Sequence, residues 1–591
     1  MRRAVLVVLI GLWAALPAAA LDRSAFAFTR YDLHVTVDPH QHGLAVEGSI
    51  ELRNRSQEPQ REAVLQISSS LHWLSILADG EEVEWLQQGY TSDIDHTGAL
   101  TEAIVKLAKP LAPGAVVRLN VRYSGTVAKD GTRLERIGAP AETALRSDWD
   151  EISDNFTALR GVGFVVWYPV SMEAANLERG NELFETLRDW RERNAGSTLR
   201  IQVTRAPQAD EDGAKFLFVT NSPEAKPAAE ITAEYRDAEP VLVLLADPAV
   251  TDDRPRVSAY YTTPHTEFAR DYMTAAEHVI PDLEPWFGTP HSKVVLVELT
   301  DPNALPYDAG AYYFAPMRQV QPGGAEVALA RPVVHAMVES PRPWIREGLT
   351  AFAQALVREH QSGRRAALAY MGQFSAALQV AEAQSQAQPA AGAKNAQGDG
   401  AKSAPDKLPG LTPIAPQPLI TTADEVFFRT KAAYVWWMLR DKVGDRTLQA
   451  AIAHYRAADD HDTGVMQRLI EAQLGPGHSL EAFFDDWVYR DKGLPLLKLD
   501  SLNARRTLGD QTVTAVTMEN QGGVMCEVPV AVRSKNGENA SRVEIPAHGK
   551  AIVRLSLESD PVEIELNDGS VPEAEPHATV TTVTAPPSEK K

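Results

Sequence analysis

Leu329-Ala330-Arg331-Pro332-Val333-Val334-His335-Ala336-Met337-Val338-Glu339, then Ser340-Pro341-Arg342-Pro343-Trp344-Ile345-Arg346-Glu347-Gly348-Leu349-Thr350-Ala351-Phe352, is the stretch on which the reading of this chain turns. The first half reads as a helix and the second as the start of another, with Trp344 and Phe352 as core residues. Glu347 then falls in a first helical turn, where a carboxylate also meets the positive end of the helix dipole. The pair Trp436-Trp437 reads as a buried helix face.

Outward from that stretch the pattern changes twice. Residues 26 to 204 alternate apolar and polar side chains in short runs, such as Tyr31-Asp32-Leu33-His34-Val35-Thr36-Val37. Gly, Pro, Asn and Asp punctuate the runs, which predicts antiparallel strands. Helical periodicity follows over 267–287, then an apolar strand over 294–299, then further helices to about 491. Alternation returns over 499–566, as in Thr512-Val513-Thr514-Ala515-Val516-Thr517, and predicts a small β-sandwich. The segment 384–413 is mostly Ala, Gln, Gly, Lys, Asn, Ser and Pro, too poor in bulky apolar groups to offset its ordering entropy. The fold class expected is therefore multidomain α+β. An N-terminal antiparallel β domain (21–204) precedes an α+β domain (205–383), a disordered insertion (384–413) and a helical continuation (414–498). A C-terminal β-sandwich (499–571) and a disordered tail (572–591) follow.

Composition bounds the function classes. Arg2 and Arg3 precede an apolar run from Ala4 to Leu16 and the small residues Ala18-Ala19-Ala20, the order of a cleavable signal peptide over 1–20. The apolar run is well short of the roughly 20 residues needed to span a bilayer. A periplasmic or secreted protein without a membrane anchor in its mature form is expected. With 58 basic against 79 acidic residues the net charge is -21, which repels phosphate backbones, so nucleic acid is a poor partner. Cys526 is the single cysteine, so the chain forms no internal disulfide and depends on its cores.

The segment Trp344-Ile345-Arg346-Glu347-Gly348-Leu349-Thr350-Ala351-Phe352 resembles the third-ligand helix of the gluzincin zinc metallopeptidases, specifically of the aminopeptidase N (membrane alanyl aminopeptidase) family. That family binds zinc through His-Glu-x-x-His on one helix and a Glu on the next, with the Glu between the two His as general base. Other segments resemble the family in the same order. They are the run ending Trp286-Phe287-Gly288, then Gly310-Ala311 at the start of its substrate strand, then Lys431-Ala432-Ala433 and Phe483-Phe484-Asp485-Asp486-Trp487-Val488. The resemblance spans roughly 26–570 and implies a thermolysin-like middle domain.

The departures fall on the chemistry. If His335 matches the second zinc His, Arg331 stands at the first and Pro332 at the general base. A guanidinium stays protonated and cannot ligate zinc, and Pro accepts no proton. Tyr313 replaces the Glu that would bind a free amino terminus, and Arg429 stands where a Tyr hydroxyl would steady the oxyanion. Pro332 and Arg429 are thus vacated catalytic positions. Gly310, Ala311 and Tyr313 are the substrate-strand candidates. The metal candidates are His335 and Glu347, joined in an alternative alignment by Glu339, four residues from His335 on the same helix face. Arg331 is expected to pair with Glu347 or Glu339, filling the cavity with an ion pair. Two readings follow. The first is a catalytically inactive pseudopeptidase without zinc that binds peptides or a periplasmic protein partner. The second is a zinc-dependent metallopeptidase with a rearranged site.

Overall fold

The computed structural model describes residues 21–583 apart from 180–181, 208–215, 237, 247–248, 322, 387–415, 508–510 and 576–579. The leader reading and nearly all of the insertion reading lie outside the described residues. Among those described, no helix is long and apolar enough to cross a membrane.

The alternation read over the first part of the chain builds sheets. In the strand Phe26–Asp38, Leu33, Val35 and Val37 are buried while His34 between them is exposed. This strand pairs antiparallel with Gly43–Asn54 and parallel with Thr198–Arg205, inside a seven-stranded sheet. A three-stranded sheet of Gln60–Ser68, Trp85–Thr91 and Ala99–Leu111 shares its apolar core. The expected boundary at 204 cuts through this unit. Ile231–Arg236 pairs with Thr198–Arg205 in the same sheet, and Leu242–Leu245 belongs to a further four-stranded sheet behind it. The pairing crosses about thirty residues of chain, so local periodicity does not reveal it.

The middle unit carries a five-stranded sheet. Its strands are β1 (Ala249–Asp253), β2 (Val257–Thr262), β3 (Val294–Glu298), β4 (Tyr307–Ala309) and β5 (Tyr312–Ala315), in the order β1-β2-β3-β5-β4. Strands β2, β3 and β5 run parallel and are almost wholly apolar, as strands covered on both faces are. Helix α1 (Thr266–Phe287) packs against this sheet and against α2 (Gly324–Met337), which packs on α3 (Pro343–Ser362). Helices α4 (Arg364–Gly372), α5 (Ser375–Gln386) and α6 (Ala432–Val443) extend the same core.

Helices α3 and α6 cross closely at Gly348. A Cβ there would lie 2.6 Å from the Cβ of Ala432 and 3.0 Å from Nε1 of Trp436. Trp436 in turn stacks on Trp344 at 5.0 Å between centroids and donates Nε1–H to the Trp344 carbonyl at 3.2 Å. Gly348→Ala therefore forces the helices apart and is expected to lower stability by about 1–3 kcal/mol, read as a lower denaturant midpoint.

The C-terminal unit packs Leu497–Arg506, Thr512–Asn520 and Gly549–Leu557 against Cys526–Ser534, Gly537–Ile545 and Pro561–Leu566. Cys526 is buried and unpaired, and burial pushes its thiol pKa up, which suits an apolar core residue. The expected disordered tail begins too early at 572. Val571 and Glu573 are buried, and Val580–Thr582 pairs with Pro561–Leu566.

Candidate functional site

Separate elements bring charged side chains to one place. Asp308 stands on the edge strand β4, directly opposite Tyr313 of β5. Its neighbour Tyr307 is fixed by Arg160, whose guanidinium lies 3.8 Å from the ring of Trp149, 3.6 Å from Phe164 and 5.3 Å from Tyr307. Arg160 is held in turn by Asp150 at 2.6 Å. Helix α2 contributes Arg331 and His335, four apart and so on one face. Helix α3 contributes Glu347, and the wide π turn Val426–Lys431 that opens into α6 contributes Arg429.

Arg331 is the hub. Its Nε donates to Oδ1 of Asp308 at 3.0 Å and its Nη2 to Oδ2 at 3.1 Å, a two-pronged pair, and Nη2 also reaches Oε2 of Glu347 at 3.1 Å. Nε2 of His335 lies 3.8 Å from Asp308 and 3.7 Å from Glu347. Arg346 reaches Oε1 of Glu347 at 3.2 Å, Arg429 reaches Oε2 at 3.5 Å, and Arg429 is also paired with Glu425. Three guanidinium groups thus meet three carboxylates.

The electrostatics follow from that count. Burial alone would raise the Glu347 carboxyl, but His335 when protonated and the guanidinium groups of Arg429, Arg331 and Arg346 hold it down at about 2. Asp308, half-buried, is held below the usual carboxylate range against the effect of its burial, chiefly by Arg331. Burial pushes His335 below its ordinary 6.5, so near neutral pH its imidazole is uncharged and the arginines alone neutralise Glu347.

Asp308, His335 and Glu347 place one ligand-type atom each within 4.8 Å of one another, the donor chemistry that zinc accepts. The arrangement as it stands does not fit a dication. Both oxygens of Asp308 and one of Glu347 are spent on Arg331, and a metal drawn to the same carboxylates would lie against a fixed guanidinium charge. Arg331 supplies the positive charge that the two carboxylates require.

The structure sorts the sequence candidates. His335 and Glu347 meet in the cluster, and Arg331 pairs with Glu347 and with Asp308. Glu339 does not take part: α2 ends at Met337, Val338 is extended (φ -127°, ψ 124°), and Glu339 is exposed beyond it. Pro332 is buried within α2. Arg429, read as a vacated catalytic position, joins the cluster through Glu347. Gly310 and Ala311 form the two-residue turn of the β4–β5 hairpin, for which Gly310 supplies a φ of 62°. Strand β5 is paired on one side with β3 and on the other with β4, so it has no free edge for an added peptide strand. Tyr313 is 6 % exposed, and its ring lies 6.3 Å from that of Tyr272. Asp308 belongs to no motif. The signal that could have found it is the need for a carboxylate to satisfy Arg331.

No family model matches the chain, and no curated protein does. Among solved structures it is similar to an M1 zinc metallopeptidase from Deinococcus radiodurans, at 17% identity over 79% of this chain and 95% of that chain, with a TM-score of 0.43. A mutant of that enzyme bound to a Tyr-Ser-Ala substrate gives 17% identity, 79% and 94% coverage and a TM-score of 0.42. Similarity at that level says nothing of the chemistry at Arg331, which rests on this chain's own residues.

A second buried charge group lies close by in sequence. Lys431, fully buried in the same π turn, has its Nζ 2.5 Å from Glu382 on α5 and 3.6 Å from Asp491. Asp491 also accepts from Ser385 and, at 2.8 Å, from the Gln417 backbone N–H. Burial raises the Glu382 carboxyl to about 7 in spite of Lys431. This group ties α5, the π turn and the segment after Tyr489 together.

Proposed function

We propose that this chain is an exported, catalytically inactive protein on a peptidase-like scaffold, which binds peptides or a periplasmic protein partner around its charged centre. The observation that carries the reading is the bridge of Arg331 between Asp308 and Glu347, which neutralises both carboxylates internally. Two further features support it. Pro332, beside Arg331, offers no proton acceptor, and Glu339 lies exposed beyond the end of α2. Hydrolysis through a metal-activated water needs both an open metal position and a base, and the loss of one such group alone typically costs about 100-fold or more.

The second reading, zinc-dependent peptide hydrolysis at a rearranged site, draws on the 4.8 Å cluster of Asp308, His335 and Glu347 and requires Arg331 to leave it. Aminoacyl-4-nitroanilides and short peptides incubated with the zinc-dialysed protein separate the two. The expected rate equals that of buffer and of a His335→Ala variant. Turnover that the variant abolishes would establish the second reading instead.

A further inference from the structure

Beside the ion cluster lies a cavity of about 370 Å3, a volume within the range of small-molecule sites. Its apolar wall includes Phe184 of the N-terminal unit and Tyr370, Met371, Phe374 and Tyr434 of the helices. The charged residues on it are Arg331, Arg429 and Glu425, two positive against one negative. Arg331 and Arg429 are both paired with Glu347, so charge alone does not choose the ligand, but Nε of Arg429 is buried with no hydrogen-bond partner among the described residues. An unmet guanidinium N–H donates best to an anionic oxygen. Glu425 is already paired with Arg429. The hydrogen bonds of Arg331 run through Nε and Nη2, which leaves Nη1 without one among the described residues.

We infer that this cavity binds a small monocarboxylate with an apolar body, its carboxylate against Arg331 and Arg429 and its body among the aromatic side chains. Charge-assisted bonds to a guanidinium fix the head, and burial of the chain supplies most of the affinity. The volume holds about a dozen water-sized groups at the roughly 30 Å3 each takes in a liquid, enough for a medium-length alkanoate. The inference rests on the non-hydrolytic reading, because it keeps Arg331 where it is and gives it a ligand.

Titration calorimetry of the full mature protein with octanoate, hexanoate and octanol tests it. Octanoate is expected to bind, hexanoate roughly 10-fold more weakly for its two missing methylenes, and octanol at least about 10-fold more weakly for its missing charge. Arg429→Gln should weaken octanoate by about 10-fold and leave octanol unchanged, a split that a misfolded variant would not give. Ala351→Phe, which puts a ring into the cavity and leaves every charged residue in place, should abolish binding of both at an unchanged melting temperature. No octanoate binding to the wild type, equal binding of octanoate and octanol, or wild-type binding by Ala351→Phe would each overturn the inference. Zinc-dependent peptide turnover in the same preparation would instead overturn the non-hydrolytic reading, and the two failures are read on separate assays.

Discussion

Lys431→Met is expected to destabilise the protein by about 3–5 kcal/mol at pH 8, because it strands two buried carboxylates without their cation. The loss should shrink at pH 5, and the sign follows from Glu382. Its carboxyl has an ordinary value of 4.5 and is raised to about 7 in the fold by burial. Between those values the folded state holds a proton that the unfolded chain has released, so this group's contribution to stability falls as pH rises through that window and is flat above it. Without Lys431 the carboxylate is costlier still at pH 8, while at pH 5 it is protonated and the missing cation matters less. Adding Glu382→Leu to Lys431→Met should restore part of the stability, since it removes one of the two stranded carboxylates while Asp491 keeps its hydrogen bonds from Ser385 and Gln417. Denaturant titrations of the three proteins at both pH values decide the matter. A Lys431→Met loss that is the same at pH 5 and pH 8, with no rescue by Glu382→Leu, would show that the triad is not the source of the effect.

Arg331→Ala is expected to have two effects that only a charge substitute would produce. It should cost about 2–3 kcal/mol in metal-free buffer, since Asp308 loses its two-pronged partner and buried Glu347 is left with only Arg346 and Arg429. It should also turn Asp308, His335 and Glu347, already within 4.8 Å of one another, into a zinc site. Zinc at a hundredfold excess over its Kd would then return about 2.7 kcal/mol, seen as a rise in melting temperature absent from the wild type. Adding His335→Ala should remove that rise. A wild-type protein stabilised by zinc as much as Arg331→Ala would mean that the guanidinium does not hold the place.

Much of this architecture is legible in the sequence, because it is written in local periodicity. The alternation at 31–37 is visible in the strand Phe26–Asp38, the period at 267–287 in helix α1, and the apolar run at 294–299 in strand β3. The Trp344 to Phe352 segment reads as a helix with a buried face, and Gly348 within it turns out to serve the crossing with α6. What escapes are relations between distant residues. Asp308 meets Arg331 across 23 positions and a change from strand to helix. Ile231–Arg236 joins its sheet across a long connection. Glu339 is a different kind of miss, and the signal was present. Pro341 disfavours helical backbone at Ser340, so a helix carrying His335 has little room to continue through Glu339.

The clustering of three arginines around Glu347 also explains why sequence reasoning sees vacancies where the fold has occupants. Arg429 is missing a hydroxyl only when compared with an expected motif. In the structure it is one of the groups that hold Glu347 ionised at about 2. In the proposed reading, binding without hydrolysis and exclusion of zinc have one physical cause, a guanidinium already bonded to both carboxylates that a metal would need.

The most direct test of that reading is the zinc content of the mature wild-type protein by elemental mass spectrometry, after dialysis first with zinc and then without it, beside His335→Ala treated identically. The account expects no bound zinc in either protein. One equivalent in the wild type, lost in the variant, would contradict it and place a metal where Arg331 stands.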